Sequence, residues 1–171
     1  MDILKHSGFN IDGICEMYYA PKSSVKEIGF PDSNNEVTIT MNGANQFFCL
    51  YFTKITEKLT IDQVDDDSGT WFKIAMALVS PKLTAEAAAK FSAFTRQDMI
   101  FVAVDNNDQA ILIGTPDKPA RVSFKNSIGG GRNHRLIEID CVADNEPYFV
   151  KELPGVSGGG FSDGFSSGFF I

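Results

Sequence analysis

Apolar and polar positions alternate along much of this chain, and the period is mostly two. Val37, Ile39 and Met41 fall on one side of a strand over 36–41, with Thr38 and Thr40 on the other. Asn42-Gly43 follows, a pair that readily takes the positive φ angles of a hairpin turn. Residues 46–52 are apolar on both sides, which predicts the hairpin's second strand, covered twice in mid-sheet. A polar break is expected over 62–68, then a long strand over 71–79. There Phe72, Ile74, Met76 and Leu78 alternate with Trp71, Lys73, Ala75 and Ala77, and Pro81 stops it. Thr84 is a good N-cap for a helix at about 84–96, where Leu83, Ala87, Phe91 and Phe94 form one stripe. Two apolar runs, 98–104 and 109–114, flank the turn 105–108 and predict a second hairpin. A short strand over 121–124 and a glycine loop at 129–131 precede a strand over 135–142. In that last strand Ile137, Ile139 and Cys141 point inward and Leu136, Glu138 and Asp140 outward.

Strands, one helix and further strands, with connections too short for repeated parallel crossovers, predict a mainly β fold. The expected architecture is an antiparallel β-sandwich or barrel with one packed α-helix and extended N- and C-terminal arms. The expected division is an irregular N-terminal arm over 1–35, with one strand at 14–19, a β-sandwich domain with the helix over 36–154, and a Gly/Phe/Ser-rich C-terminal arm over 155–171.

The C-terminal arm changes the picture. Gly-Phe recurs every four positions at 160–161, 164–165 and 168–169. Glycine and serine lose much backbone freedom on ordering and bury little, so Phe161, Phe165, Phe169 and Phe170 are expected to find cover on another subunit. A net charge of −7 argues against tight binding to nucleic acid, which needs Lys and Arg to neutralise phosphates. It leaves room for DNA to pass without sticking. Cys15, Cys49 and Cys141 are an odd, widely spaced set, fitting a reduced, intracellular origin and small buried side chains. No basic, apolar leader opens the sequence and the longest apolar runs are about seven residues, so neither a signal peptide nor a membrane anchor is expected.

Candidate chemistry is sparse. His6 and His134 lie far apart in flexible-looking regions, no cysteine pair has chelating spacing, and no serine sits in a nucleophile elbow. The run Asp62, Asp65, Asp66, Asp67 lacks the distal glutamate that closes a calcium loop. The glycines at 129–131 precede a strand, whereas a phosphate cradle precedes a helix. Glu138 and Asp140, about 7 Å apart on one strand face, belong to a solvent-facing edge or to an acidic channel lining. The chain is therefore expected to be no enzyme, with no metal and no cofactor.

Three stretches carry a resemblance, over roughly 60 residues in the second half. They are Pro81-Lys-Leu-Thr-Ala-Glu86, then Met99-Ile-Phe-Val-Ala-Val-Asp-Asn-Asn107 leading into Ala110-Ile-Leu-Ile-Gly114, and the 129–131 loop before the 136–142 strand. In these the chain resembles the tail structural proteins of tailed bacteriophages, the tail tube and tail ring family, and its Gly-Phe-Ser end is similar to other tail components. The resemblance implies a virion protein made in the host cytoplasm, with copies of itself in six-fold or twelve-fold rings. It further implies other tail or neck proteins as partners, genomic DNA passing without specific binding, and no catalytic residues. A tail terminator or head–tail connector is the related alternative. A monomeric β-barrel module for an apolar ligand is the unrelated one, which the Phe-rich core would also permit.

Overall fold

The computed structural model describes residues 12–54, 57–67, 69–81, 84–129 and 133–154. Among the described residues it is mainly β, with 55% in strands and 7% helical. The strands are β1 (Ile14–Pro21), β2 (Val25–Ile28), β3 (Glu36–Val37), β4 (Ile39–Met41), β5 (Phe48–Cys49), β6 (Lys58–Asp66), β7 (Gly69–Pro81), β8 (Met99–Asp105), β9 (Ala110–Ile113), β10 (Arg121–Ser127), β11 (His134–Ala143) and β12 (Phe149–Val150). A six-stranded sheet runs β3-β12-β9-β8-β1-β5, a four-stranded sheet β10-β11-β7-β6, and β2 pairs with β4. Pairing is antiparallel except for β12 with β3, which is parallel. No closed barrel forms among the described residues.

Two apolar clusters hold these sheets, and β8 belongs to both. Met99, Phe101 and Ala103 join Met17 and Ile113 in a cluster completed by Ile74, Met76, Leu78, Ile137, Ile139 and Cys141 of the four-stranded sheet. The alternate residues Ile100, Val102 and Val104 face a second cluster with Val25, Val37, Ile39, Leu112, Val150 and Leu153. A strand with apolar cover on both sides needs no polar alternation, which explains its unbroken apolar sequence. The β8–β9 turn is closed by Asp105, whose carboxylate accepts from the Asn107 and Gln109 N–H groups. Asp108 there has φ 60°, a left-handed angle that Asp tolerates better than most residues. Gly114, at φ 90°, is required where the chain leaves β9. A Cβ there would stand 2.8 Å from the Ala120 nitrogen, which itself donates to the Met99 carbonyl.

The helix α1 (Ala85–Phe94) is shorter than the expected 84–96, though it starts as expected, with the Thr84 carbonyl accepting from Ala88 N–H at 2.9 Å. Phe94 enters the first cluster and Phe91 packs against it. Arg135, only 6% exposed, lies 4.7 Å from the Phe91 ring and 5.4 Å from the Phe124 ring, and its Nε donates to Asn126 Oδ1. Helix and sheet are thus joined through an edge-on Phe91–Phe124 pair with the Arg135 guanidinium beside both rings.

Three expectations need correction. Residues 46–52 are not a mid-sheet strand and do not pair with 36–41. Only β5 forms, at the edge beside β1, and β4 pairs with β2. The segment is apolar on both sides because it wraps the sheet edge, sending Phe47 into the second cluster and Leu50 into the first. The acidic stretch 62–66 is no break: Asp62, Asp65 and Asp66 lie on β6, in unbroken register with β7, and Asp67 begins the turn. Within 1–35, β1 is no arm element either, since it sits between β8 and β5 with Met17 fully buried.

Candidate functional site

The outer face of the four-stranded sheet is the side turned away from the shared core. Strand alternation places Lys58, Thr60, Asp62, Val64 and Asp66 of β6 on it, beside Trp71, Lys73, Ala75, Ala77 and Val79 of β7. Leu136, Glu138, Asp140 and Val142 of β11 come next, then Arg121, Ser123 and Lys125 of β10. Lys58, Asp62, Lys73, Arg121, Ser123, Lys125, Asp140 and Val142 are all exposed.

Glu138 and Asp140 do share this face, as the alternation predicts. The Lys125 ammonium stands 3.0 Å from Glu138 Oε2, and the Ser123 hydroxyl approaches the same carboxylate. Asp140 lies directly opposite Arg121 in the β10–β11 register. Across the face four acids (Asp62, Asp66, Glu138, Asp140) accompany four bases (Lys58, Lys73, Arg121, Lys125). The two carboxylates therefore sit on a surface of balanced charge, not a purely acidic one. Phe161, Phe165, Phe169 and Phe170 lie outside the described residues, as do His6 and Leu83.

Among the described residues, nothing pairs beyond β6 on one side or β10 on the other. These edges are nine and seven residues long. Long unpaired edges expose a row of backbone donors and acceptors and invite another strand. The two edges also differ in charge. On the outer face β10 carries Arg121 and Lys125, and β6 carries Asp62 and Asp66 after Lys58 at its start.

No family model, curated protein or solved structure matches this chain. The site is therefore judged on its own geometry. Among the described residues no group of three or more His, Cys, Asp or Glu could hold a metal ion, and no helix is long and apolar enough to cross a membrane. The three cysteines are free, with Cys141 buried as expected but Cys49 exposed at the sheet edge. The acids at the β6–β7 turn serve the hairpin. Asp65 accepts from the Thr70 hydroxyl and Asp66 from the Trp71 indole N–H. The Thr70 bond, then Gln63, holds the Asp65 carboxyl below the usual carboxylate range.

Two features escaped the sequence reading. The first is the edge pattern: Arg121/Lys125 and Asp62/Asp66 each sit four residues apart, a spacing visible in the sequence once both segments are recognised as strands. The second is Phe30, 98% exposed, between Gly29 and Pro31. An aromatic residue set among turn formers was the available signal. The turn that carries it is well fixed. Gly29 N–H donates to the Thr38 carbonyl and Asp32 N–H to that of Glu36, while the Asp32 carboxylate accepts from the N–H groups of Asn34 and Glu36.

Lys151 pairs with Asp32 from β12's end. That contact first, then the two N–H bonds, lowers the Asp32 carboxyl from 3.8 to about 2. Because the folded value lies below the ordinary one, this tether is complete above about pH 4 and is lost as pH falls towards 2. A carbon-detected NMR titration should place the Asp32 midpoint near 2; a midpoint near 3.8 would mean that Lys151 does not hold it.

Proposed function

We propose that this chain is a structural subunit of a phage tail tube or tail ring, joined edge to edge into a homo-oligomer. In this reading the two larger sheets stack as a β-sandwich with α1 packed upon it. The outer face of the four-stranded sheet lines the conduit for DNA. The observation that carries the reading is the match between the two open edges.

The four strands alternate in direction, so β6 runs antiparallel to β10. A copy rotated about an axis along the strands therefore presents its β10 antiparallel to the first copy's β6. In that pairing the two four-residue spacings coincide: when Lys125 faces Asp62, Arg121 faces Asp66. Both opposite-charge pairs form at once, on the same face, and each supports the backbone ladder. The contact is head-to-tail, so it closes into a ring when the rotation per subunit divides a full turn. The resemblance to tail proteins in the second half of the sequence points the same way.

Size-exclusion chromatography with light scattering tests the reading. A hexamer or larger species is expected, and a monomer of 18.7 kDa at high concentration and low salt would overturn it. The lining makes a further prediction. A face of balanced charge neither captures phosphates nor builds a strong opposing field. Replacing Glu138 and Asp140 by Lys leaves six bases to two acids there, from the four of each on the native face. Particles carrying that variant should deliver DNA more slowly, with a delay that shrinks as salt rises. Delivery at the normal rate would show that the face is not the lining.

A further inference from the structure

A cleft of about 420 Å³ opens beside the β6 edge, where that strand passes the β8–β9 turn and the start of β1. Leu59 and Ile61 of β6, Ile14 of β1 and Ile111 of β9 supply its apolar wall. Leu59 packs on the first apolar cluster, so the cleft lies on the core-facing side of β6, opposite the side that carries Asp62 and Asp66. On its polar rim Glu57 accepts from the Ile14 N–H, and Asp105 accepts from the Asn107 and Gln109 N–H groups. Asp12 and Lys58 there carry opposite charges. The wall thus suits an uncharged apolar side chain. The other edge of the sheet displays one. Ile128, one residue past the end of β10, is 80% exposed. Alternation from Val122 and Phe124, which pack on the first cluster, puts Ile128 on the core-facing side as well.

We propose that Ile128 of one copy seats in this cleft of the next copy. Resting on the ring reading, this seat adds an apolar knob and socket to a joint otherwise held by charge and backbone pairing. With Lys125 facing Asp62 and Arg121 facing Asp66, the same antiparallel register sets Asn126 against Ile61 and Ile128 against Leu59. Directly opposed side chains stand about 5 Å apart and diagonal ones about 7–8 Å, so Ile128 reaches both Leu59 and Ile61. The two charge pairs on the outer face fix that register by themselves. The apolar residues then meet on the other face without having been used to choose it. Ile61, 39% exposed, and Ile128 are covered together. A slip of two residues in either direction would cost both charge pairs. The charges therefore select the register, and the apolar contact, which salt does not screen, holds the joint once it has formed.

The test uses the full chain in two forms. With Ile128 replaced by the photocrosslinker p-benzoylphenylalanine, irradiation should give a covalent dimer on a denaturing gel. Its crosslinks should map to peptides containing residues 57–61, 14 or 111. In the otherwise native chain, Ile128→Ser should weaken association by about tenfold or more at each junction, read by light scattering. Its melting temperature as a monomer should be unchanged, because an 80% exposed side chain supports no core. Ile128→Val should assemble as the native chain does, a comparison that stands even where the bulky probe itself blocks assembly. A ring that forms equally well with Ile128→Ser, or whose crosslinks fall elsewhere, would overturn the seat and leave the edge pairing standing. A native chain that stays monomeric at high concentration and low salt would overturn both.

Discussion

In the proposed ring, replacing Arg121 and Lys125 by Glu is expected to leave a monomer of 18.7 kDa. Each exposed cross-strand pair of opposite charge contributes about 0.2–1 kcal/mol, and turning it into a like-charge pair costs a similar amount. Two pairs per junction give a swing of about 1–4 kcal/mol, a factor of roughly 5 to 1,000 at every contact in a ring. The diagnostic experiment is the swap. Asp62→Lys and Asp66→Lys alone should also dissociate the ring, whereas all four substitutions together should restore it, now with basic β6 and acidic β10. Circular dichroism and the melting temperature control for the within-sheet contacts the variants give up: Lys125 with Glu138, Arg121 opposite Asp140, Asp62 opposite Lys73 and the Trp71 indole on Asp66. Raising salt towards 1 M, where the screening length is about 3 Å, should weaken the native assembly. Assembly indifferent to the first double substitution would remove these edges from the interface.

Phe101→Ala should cost about 3–5 kcal/mol of folding stability, by removing a large side chain from a site that cannot collapse around the gap. Phe101 is fully buried on β8 and stacks on Phe94 of α1, with ring centroids 6.3 Å apart. The loss should appear by calorimetry as a fall in melting temperature on the order of 10 °C. Phe30→Ala is the matched control, with an expected effect within about 0.5 kcal/mol because the Phe30 ring is 98% exposed among the described residues. A cost below about 1 kcal/mol for Phe101→Ala would contradict the placement of β8 between two apolar layers.

The elements that could be read from the sequence are those whose neighbours leave one solution. The β8–β9 hairpin was legible because two apolar runs flank an Asx turn, and β11 because Ile137, Ile139 and Cys141 alternate with residues bound for solvent. Residues 46–52 misled because an edge-wrapping segment and a central strand both present apolar side chains in both directions. Phe47 and Leu50 look alike in sequence, although they serve different clusters. Asp62, Asp65 and Asp66 misled in the opposite way, since a strand at a solvent-facing edge accepts a run of acids that reads locally as a turn. The surface followed the same logic. Glu138 and Asp140 were placed correctly on the outer face by alternation alone. Their basic counterparts were not anticipated, because Lys125 approaches Glu138 only through a pairing between β10 and β11 that no local pattern encodes.

The double role of β8 has a consequence for how such a chain can change over generations. A residue at one of its positions answers to one apolar layer and its neighbour to the other, so drift on either side meets at a single seven-residue segment. The outer rows of the four-stranded sheet carry no such double obligation. Away from the charges proposed to join copies and to line the conduit, substitutions should accumulate there more readily, while β8 stays nearly fixed.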